Sequence, residues 1–259
     1  MKVLGQILNV ISTWFAQIMI FFHNNLGFSW GISIVFMTIV LKIILFPTSI
    51  SQIRSMEGMK KIQPILKEIQ AKYKDKPEEY QRRTMEVYKQ NKVNPFGGCL
   101  PVLLQFPILI ALYNLLREPD PIFQGLAKAH ILTEPMVRGL LKSFGTENFL
   151  GLNLIKGSLF TPSFLIMVAL SGFTTYLLQK MTSTASMQGS DNEQSMQNMF
   201  LYIMPAFFTY ITWTLPAGLG IYWVVSNLFS ILQQIIITRY FIPKTAALVN
   251  DGGEKGEKK

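Results

Sequence analysis

Chemically reactive side chains are scarce in this sequence. Cys99 is the only cysteine, and the only histidines are His23 and His130. No aspartate or glutamate occurs in five long apolar runs, at 28–41, 99–116, 160–178, 200–215 and 219–237. A disulfide framework and a cysteine metal site are therefore excluded. Intramembrane proteases and proton-driven carriers need paired aspartates, a histidine or a titratable carboxylate at membrane depth, so we expect no enzyme, no metal and no cofactor.

Charged residues as a whole are also few. They make up 15% of the chain, against about 25% in an average protein, while 49% of the residues are hydrophobic. Each apolar run reaches or approaches the roughly 20 residues that a helix needs to cross a bilayer. The sequence therefore predicts an all-α polytopic membrane protein with five spans, at 28–48, 98–116, 160–180, 199–215 and 219–239.

The net charge of +9 is unevenly placed. Basic residues gather between 49 and 97 and in the tail from Arg239 onward. By the positive-inside rule both segments face the cytoplasm, and so does the C-terminus at the end of the 240–259 tail. Alternation of the spans then places 117–159 outside and 181–198 in the cytoplasm. This distribution argues for a membrane setting and against nucleic-acid recognition.

The first 27 residues allow two interpretations. No small-residue cleavage site precedes His23 and no lipobox cysteine is present, so we do not expect a signal peptide. Gln6, Asn9, Ser12 and Gln17 interrupt the apolar residues. We favour an amphipathic helix in the outer interface over a sixth, weak span.

The segment 49–97 has the pattern of a soluble helical hairpin. Apolar residues recur at helical spacing up to Ile69, and Pro77 suits the first position of a second helix that runs to about Asn91. Such a hairpin is usually a solvated connector. Methionines at its apolar positions favour a docking element that contacts ribosome or targeting factors.

Uncharged polar residues recur in the spans with helical period. In the last span they are Trp223, Ser226, Asn227, Ser230, Gln233 and Gln234, and the third offers Ser171, Thr174, Thr175 and Gln179. Interhelical hydrogen bonds explain any one of them. Lys42 is different, because a charge in a span costs about 2.5–3.5 kcal/mol. Its stem could reach the cytoplasmic interface near Pro47, or its ammonium could line a wet pocket, and the residues alone leave both open.

Three stretches resemble the YidC family of membrane-protein insertases. They are KVNPFGGCLPVLLQFPILIALY (Lys92–Tyr113), PAGLGIYWVVSNLFSILQQ (Pro216–Gln234) and the first span ending in KIILFP, followed by KKIQP. The resemblance implies five spans around a hydrophilic groove that opens to cytoplasm and lipid. It places the groove's cation at Lys42, where the family usually has arginine, and further groove positions at Gln105, Gln179 and Trp223.

The sequence thus yields one hypothesis with two rivals. The hypothesis is an insertase of the bacterial inner membrane that captures polar, often acidic, segments of nascent membrane proteins and releases apolar segments into the lipid bilayer. Its expected groove residues are Thr38, Lys42, Gln105, Thr175, Gln179, Trp223 and Asn227. The runner-up is a chaperone that assembles membrane proteins beside the Sec translocon, which we expect as a partner in either case. A solute channel is the third possibility, and the missing inverted repeat weighs against it.

Overall fold

The structure is a computed structural model that describes residues 2–91, 93–94, 100–155, 161–183 and 191–242. Almost all of the described chain is helical, as predicted. The helices are α1 (Lys2–Leu26), α2 (Trp30–Ile44), α3 (Phe46–Lys72), α4 (Pro77–Gln90), α5 (Leu100–Arg117), α6 (Pro119–Lys128), α7 (Glu134–Thr146), α8 (Pro162–Ser183), α9 (Asp191–Thr214) and α10 (Ala217–Ile236). A π-helical turn, Ile237–Phe241, continues α10. Two short antiparallel strands, β1 (Asn148–Phe149) and β2 (Leu152–Asn153), lie between α7 and α8.

The five-span count is not confirmed. Among the described residues, three helical segments are long and apolar enough to cross a membrane: Gly5–Leu26, Pro162–Thr182 and Ala217–Phe241. The bent pair α2 and α3 makes a fourth if it is counted as one span. The described apolar part of α5, Leu104–Arg117, is shorter. In addition, α9 begins at Asp191, inside the segment predicted as the 181–198 loop.

A sharp elbow separates α2 from α3. The backbone turns by 64° at this break. Pro47 lies in the first turn of α3 and has no N–H to donate, so the hydrogen-bond ladder of α2 does not continue through it. The segment predicted as the first span, 28–48, therefore contains all of α2, the elbow and the first turn of α3.

The hairpin of α3 and α4 confirms the predicted start of the second helix at Pro77. Met59, Ile62 and Val87 form its buried core. Met56 is buried as well, but it packs at the base of the hairpin beside Ile237. Since two of the methionines that suggested a docking surface are buried, only Met85, which is 51% exposed, still fits that argument.

Residues 147–154 join α2 to α10, and we call them the outer clamp after the side of the membrane that the sequence predicts for them. A Glu147 carboxylate oxygen accepts the Gly31 N–H at 3.3 Å, and the Leu154 carbonyl accepts the Gly218 N–H at 3.0 Å. Both donors belong to first turns, where helical N–H groups lack partners within the helix. The clamp turns at Leu150 and Gly151, which both have positive φ, as a tight two-residue hairpin loop requires.

Helix α1 passes close to the outer ends of two other helices. The Ser12 hydroxyl donates to the Ala111 carbonyl at 2.8 Å, and the rings of Phe22 and Phe36 lie 5.3 Å apart. Ala111 and Phe36 are each about 9 Å from the outer end of their own helix, at 1.5 Å per residue. Helix α1 therefore meets both helices at a similar distance from their ends. Its placement in the membrane stays a prediction.

The outer clamp depends on a glycine in α2. A Cβ at Gly31 would overlap the base of the Phe149 ring, so Gly31→Ala should displace the clamp and cost about 1–3 kcal/mol of stability. The measurement is the melting temperature of the purified protein in detergent.

Gly125→Ala is the matched control. A Cβ there meets nothing within 4 Å, so this change in α6 should be neutral or slightly stabilising. Equal melting temperatures for the two variants would contradict the role given to Phe149.

Candidate functional site

Helix α10 is the element to which the candidate site residues attach. It packs against α8 and α9 and also against α2 and α5. Its polar residues divide between these neighbours. Because side chains three or four apart share a helical face, Tyr222, Ser226, Ser230 and Gln233 form one stripe, which meets α2 and α5. Trp223 and Asn227 form an adjacent stripe, which meets α8.

The side chain of Lys42 crosses from α2 to α10. Its Nζ donates to the Ser230 hydroxyl at 2.8 Å, and Gln233 donates from Nε2 to the Lys42 carbonyl at 3.2 Å. The ammonium is thus directed at the neighbouring helix and not along α2 toward Pro47. Of the two explanations that the sequence left open, this geometry is not that of a side chain escaping to the headgroups.

The hydrogen bond to Ser230 does not neutralise the positive charge of Lys42. Ser230 is neutral, and no acidic side chain of the described residues lies within ion-pair distance of the ammonium. A hydroxyl satisfies one of the three donors that a lysine carries. Among the described residues, the Lys42 ammonium therefore keeps its positive charge and has one hydrogen-bond acceptor, Ser230.

Three predicted site residues form a single hydrogen-bonded cluster. The Thr175 hydroxyl accepts from Trp223 Nε1 at 2.9 Å and from Asn227 Nδ2 at 2.9 Å. Asn227 also donates to the Thr174 hydroxyl at 3.2 Å, and the Trp223 ring stacks on Phe208 at 4.1 Å. In this conformation the cluster joins α8 to α10, as interhelical hydrogen bonds do in membranes.

Gln105 reaches α10 from α5. It donates from Nε2 to the Tyr222 hydroxyl at 2.7 Å. Tyr222 is fully buried, so a phenol without a partner there would be costly. The contact ties α5 to the same stripe of α10 that receives Lys42.

Thr38 and Gln179 are not part of these contacts. Thr38 is fully buried and its hydroxyl donates to Ile34, in its own helix, at 2.7 Å. Gln179 is half-buried, one turn beyond Thr175 on α8. The predicted set therefore divides by exposure: Thr38, Thr175 and Asn227 are enclosed, whereas Lys42, Gln105, Gln179 and Trp223 keep accessible surface.

Among the described residues, four whose side chains form interhelical hydrogen bonds with the predicted set were missing from it: Thr174, Tyr222, Ser230 and Gln233. Ser230 belonged to the polar stripe of the last span but was not singled out, and Tyr222 was taken as part of an apolar run. The spacing 222, 226, 230 is the signal that could have found both, since these positions repeat every four residues on one helical face.

The fold and its polar contacts define a helical membrane protein in which one central helix is hydrogen-bonded to three neighbours. The family model described as "60Kd inner membrane protein" matches residues 21–244. Three similar relatives carry the name membrane protein insertase YidC. Those of Caldanaerobacter subterraneus and Fusobacterium nucleatum are 35% and 37% identical, over 88% and 85% of this chain and 94% and 88% of their own. That of Endomicrobium trichonymphae is 32% identical over 90% of this chain but only 39% of its own, longer chain.

The chain belongs to the YidC family. This confirms the resemblance drawn from the motifs of the second and last spans.

The hydroxyls of Thr175 and Thr38 form different hydrogen bonds: that of Thr175 accepts from another helix, and that of Thr38 donates within its own helix. Thr175→Val should remove the acceptor shared by Trp223 and Asn227 and cost about 0.6–2 kcal/mol. The same isosteric change at Thr38 removes a bond only to its own helix and should stay within about 0.5 kcal/mol of wild type. Unfolding of both variants by denaturant in detergent micelles measures the difference, and a larger loss at Thr38 would contradict the assignment.

Proposed function

We propose that this protein is an insertase of the bacterial inner membrane that needs no nucleotide or cofactor. Membership of the YidC family supports the activity and the location. The observation that carries the mechanism is the direction of Lys42, whose ammonium lies against the polar stripe of α10 with no acid beside it among the described residues. The substrates are nascent membrane proteins, and the C-terminus faces the cytoplasm.

Capture begins when a polar segment of the substrate reaches Lys42 from the cytoplasmic side. A carboxylate about 4 Å from the ammonium gains about 4 kcal/mol at an effective dielectric of 20. It is a stronger partner than the neutral Ser230 hydroxyl, so an acidic segment displaces that contact. This interaction energy is large enough to hold the segment transiently and small enough to allow its release.

Water has to reach the same place. Gln105, Gln179 and Trp223 are only half-buried and can hydrate when a substrate separates α10 from its neighbours. Hydration of this groove shortens the apolar distance that a polar segment must cross. The hydrogen bonds of Thr175, Trp223 and Asn227 can then re-form after release, which closes the groove again.

Apolar segments leave along the faces of α8 and α10 that are exposed in the structure. These faces carry Ile166, Leu170 and Phe173 on α8, and Leu228, Leu232 and Ile235 on α10. Burying a substrate's apolar side chains in lipid beside these faces supplies the free energy, at about 25 cal/mol per Å². No chemical energy source is required.

The hairpin of α3 and α4 is the proposed contact for ribosome or targeting factors, and the Sec translocon is the proposed partner in the membrane. The base of the hairpin is fixed. The Lys60 ammonium donates to the Met181 carbonyl near the end of α8 at 3.2 Å, and Ile53 and Met56 pack on Ile237. Its distal half is charged and free to bind.

The function is tested by reconstituting the purified chain in liposomes without Sec and measuring protease protection of a substrate's translocated tail. The wild type should insert a substrate with an acidic tail unaided. Lys42→Met, which removes the charge and keeps the stem, should slow that insertion by at least about tenfold, and Lys42→Arg should not.

A second substrate, identical except for a neutral tail, controls for folding. Its insertion should change little in Lys42→Met. If Lys42→Met inserts neither substrate, its structure is damaged. If it inserts both as well as wild type does, the electrostatic role is rejected. Failure of the wild type itself, with activity restored by added translocon, would favour the assembly-factor alternative.

The role of the hairpin calls for a deletion that spares its base. Replacing residues 63–90 by a short Gly–Ser linker keeps Ile53, Met56 and Lys60 in place. Insertion of ribosome-bound substrates should fall severalfold while the melting temperature in detergent changes little, because the removed residues pack within the hairpin itself, on Met59 and Ile62, which remain in place. A shortened protein with full activity would remove this role.

The matched control is Arg82→Gln with Arg83→Gln. Among the described residues both arginines pair only with the partly exposed Glu79 and Glu86, and such surface pairs add about 0–1 kcal/mol to stability. If this variant loses as much activity as the deletion, the partner recognises the charge of the hairpin and not its shape.

A further inference from the structure

A groove lies at the cytoplasmic corner of the molecule, next to the candidate site, since Gln233 lines it and also donates to the Lys42 carbonyl. It has a volume of about 390 Å³ and is bounded by the elbow of α2 and α3 and by the last turns of α10. The lining residues are Ile43, Phe46, Pro47, Phe229, Leu232, Gln233 and Ile236. We call this space the corner groove. It exists because the 64° turn at Pro47 carries α3 away from α10 and leaves the angle between them unfilled.

The corner groove is apolar and open to the surroundings. Its one polar lining residue, Gln233, already donates to the Lys42 carbonyl. Ile43 and Leu232 are 59% and 50% exposed, so the groove faces outward and not into the core. In a membrane protein such a surface is in contact with acyl chains, because water there would be costly.

Two arginines lie on or beside the π-helical turn Ile237–Phe241, which packs on one wall of the groove. The Phe46 ring, on its wall, packs edge-on against the Phe241 ring at 6.1 Å. Arg54 Nη2 points to the Phe241 carbonyl at 3.5 Å, and the Arg239 guanidinium lies 5.7 Å from the Tyr240 ring centroid. Arg54 therefore contacts this turn and Arg239 belongs to it.

Both guanidinium groups retain donors for a ligand. Both arginines are exposed, and within the described part of the chain neither forms an ion pair. Guanidinium groups bind phosphate through two parallel hydrogen bonds. Basic pockets between spanning helices on the cytoplasmic side recognise lipid headgroups in the same way.

We propose that the corner groove binds one anionic phospholipid of the inner leaflet. Its acyl chain fills the space between Ile43 and Leu232, and its phosphate contacts Arg54 and Arg239. An apolar slot with two unpaired cations beside it matches the two parts of such a lipid. A zwitterionic lipid fits less well, since its own ammonium offsets the phosphate. The inference uses the membrane setting of the family and does not depend on insertase activity.

The test places a fluorescent reporter in the groove. Phe229→Trp puts an indole on its wall, and wild type corrects for the four native tryptophans. The protein is reconstituted in phosphatidylcholine vesicles that contain a tenth of brominated lipid, either phosphatidylglycerol or phosphatidylcholine. Brominated phosphatidylglycerol should quench the reporter as though enriched about fivefold over phosphatidylcholine. Arg54→Gln with Arg239→Gln should abolish that preference.

The control removes the same charge elsewhere. Arg82→Gln with Arg83→Gln, in the hairpin, should leave the preference intact. If this variant also loses it, the membrane's general attraction for a basic protein explains the result and the site is rejected. Equal quenching by the two brominated lipids in the parent Phe229→Trp protein rejects it as well.

Further arms identify other occupants. Competition by water-soluble glycerophosphoglycerol would show that phosphate alone binds, without the acyl chain. Quenching that appears only after truncation at Ile242 would show that the chain's own C-terminal residues fill the groove. A dependence on protein density would indicate a second copy. Each of these outcomes overturns the proposal, and native mass spectrometry of the wild-type background, with and without the arginine substitutions, repeats the comparison should Phe229→Trp fail to fold.

Because lipid binding and insertion have separate readouts, the two proposals can fail independently. The arginine substitutions can abolish the lipid preference while insertion continues, and Lys42→Met can abolish insertion while the lipid preference remains.

Discussion

Lys42 carries a charge into a helix that is otherwise apolar, and its contact with Ser230 makes this arrangement possible. A charged side chain in a span costs several kcal/mol unless water or a partner compensates it. Ser230 supplies a hydrogen bond at 2.8 Å but no countercharge, so the compensation is partial. An anion beside the ammonium would compensate the remaining cost, which is the property that the proposed capture of acidic segments requires.

That contact requires α2 and α10 to stay in register over their whole length. The outer clamp holds them at one end, through the N–H groups of Gly31 and Gly218. Near the other end, Gln233 binds the Lys42 carbonyl. Between these two points the helices contact each other mainly through side chains. The outer clamp therefore contacts the first turns of both helices.

The sequence predicted features that depend on one helix at a time and missed those that depend on distant segments. Pro77 and the hairpin were predicted because helix starts have local signals. The Glu147 to Gly31 contact joins residues that are 116 positions apart in the sequence, so no local sequence pattern predicts it. Thr38 was placed in the groove because it is four residues from Lys42, yet it is enclosed. Helical spacing fixes which residues share a face but not how much of that face a neighbour covers.

The family usually has arginine where this chain has Lys42, and the contacts of Lys42 indicate what the exchange leaves unchanged. A guanidinium presents five donors in a rigid plane, whereas an ammonium is a compact charge with three rotatable donors. Ser230 accepts only one of these donors, and its hydroxyl can rotate to meet either kind of cation. No described residue presents a carboxylate, whose two oxygens could accept two parallel hydrogen bonds from a guanidinium, at this position. What both side chains share at this position is a positive charge beside a neutral partner, so charge and depth, and not donor geometry, are the properties on which the proposed capture depends.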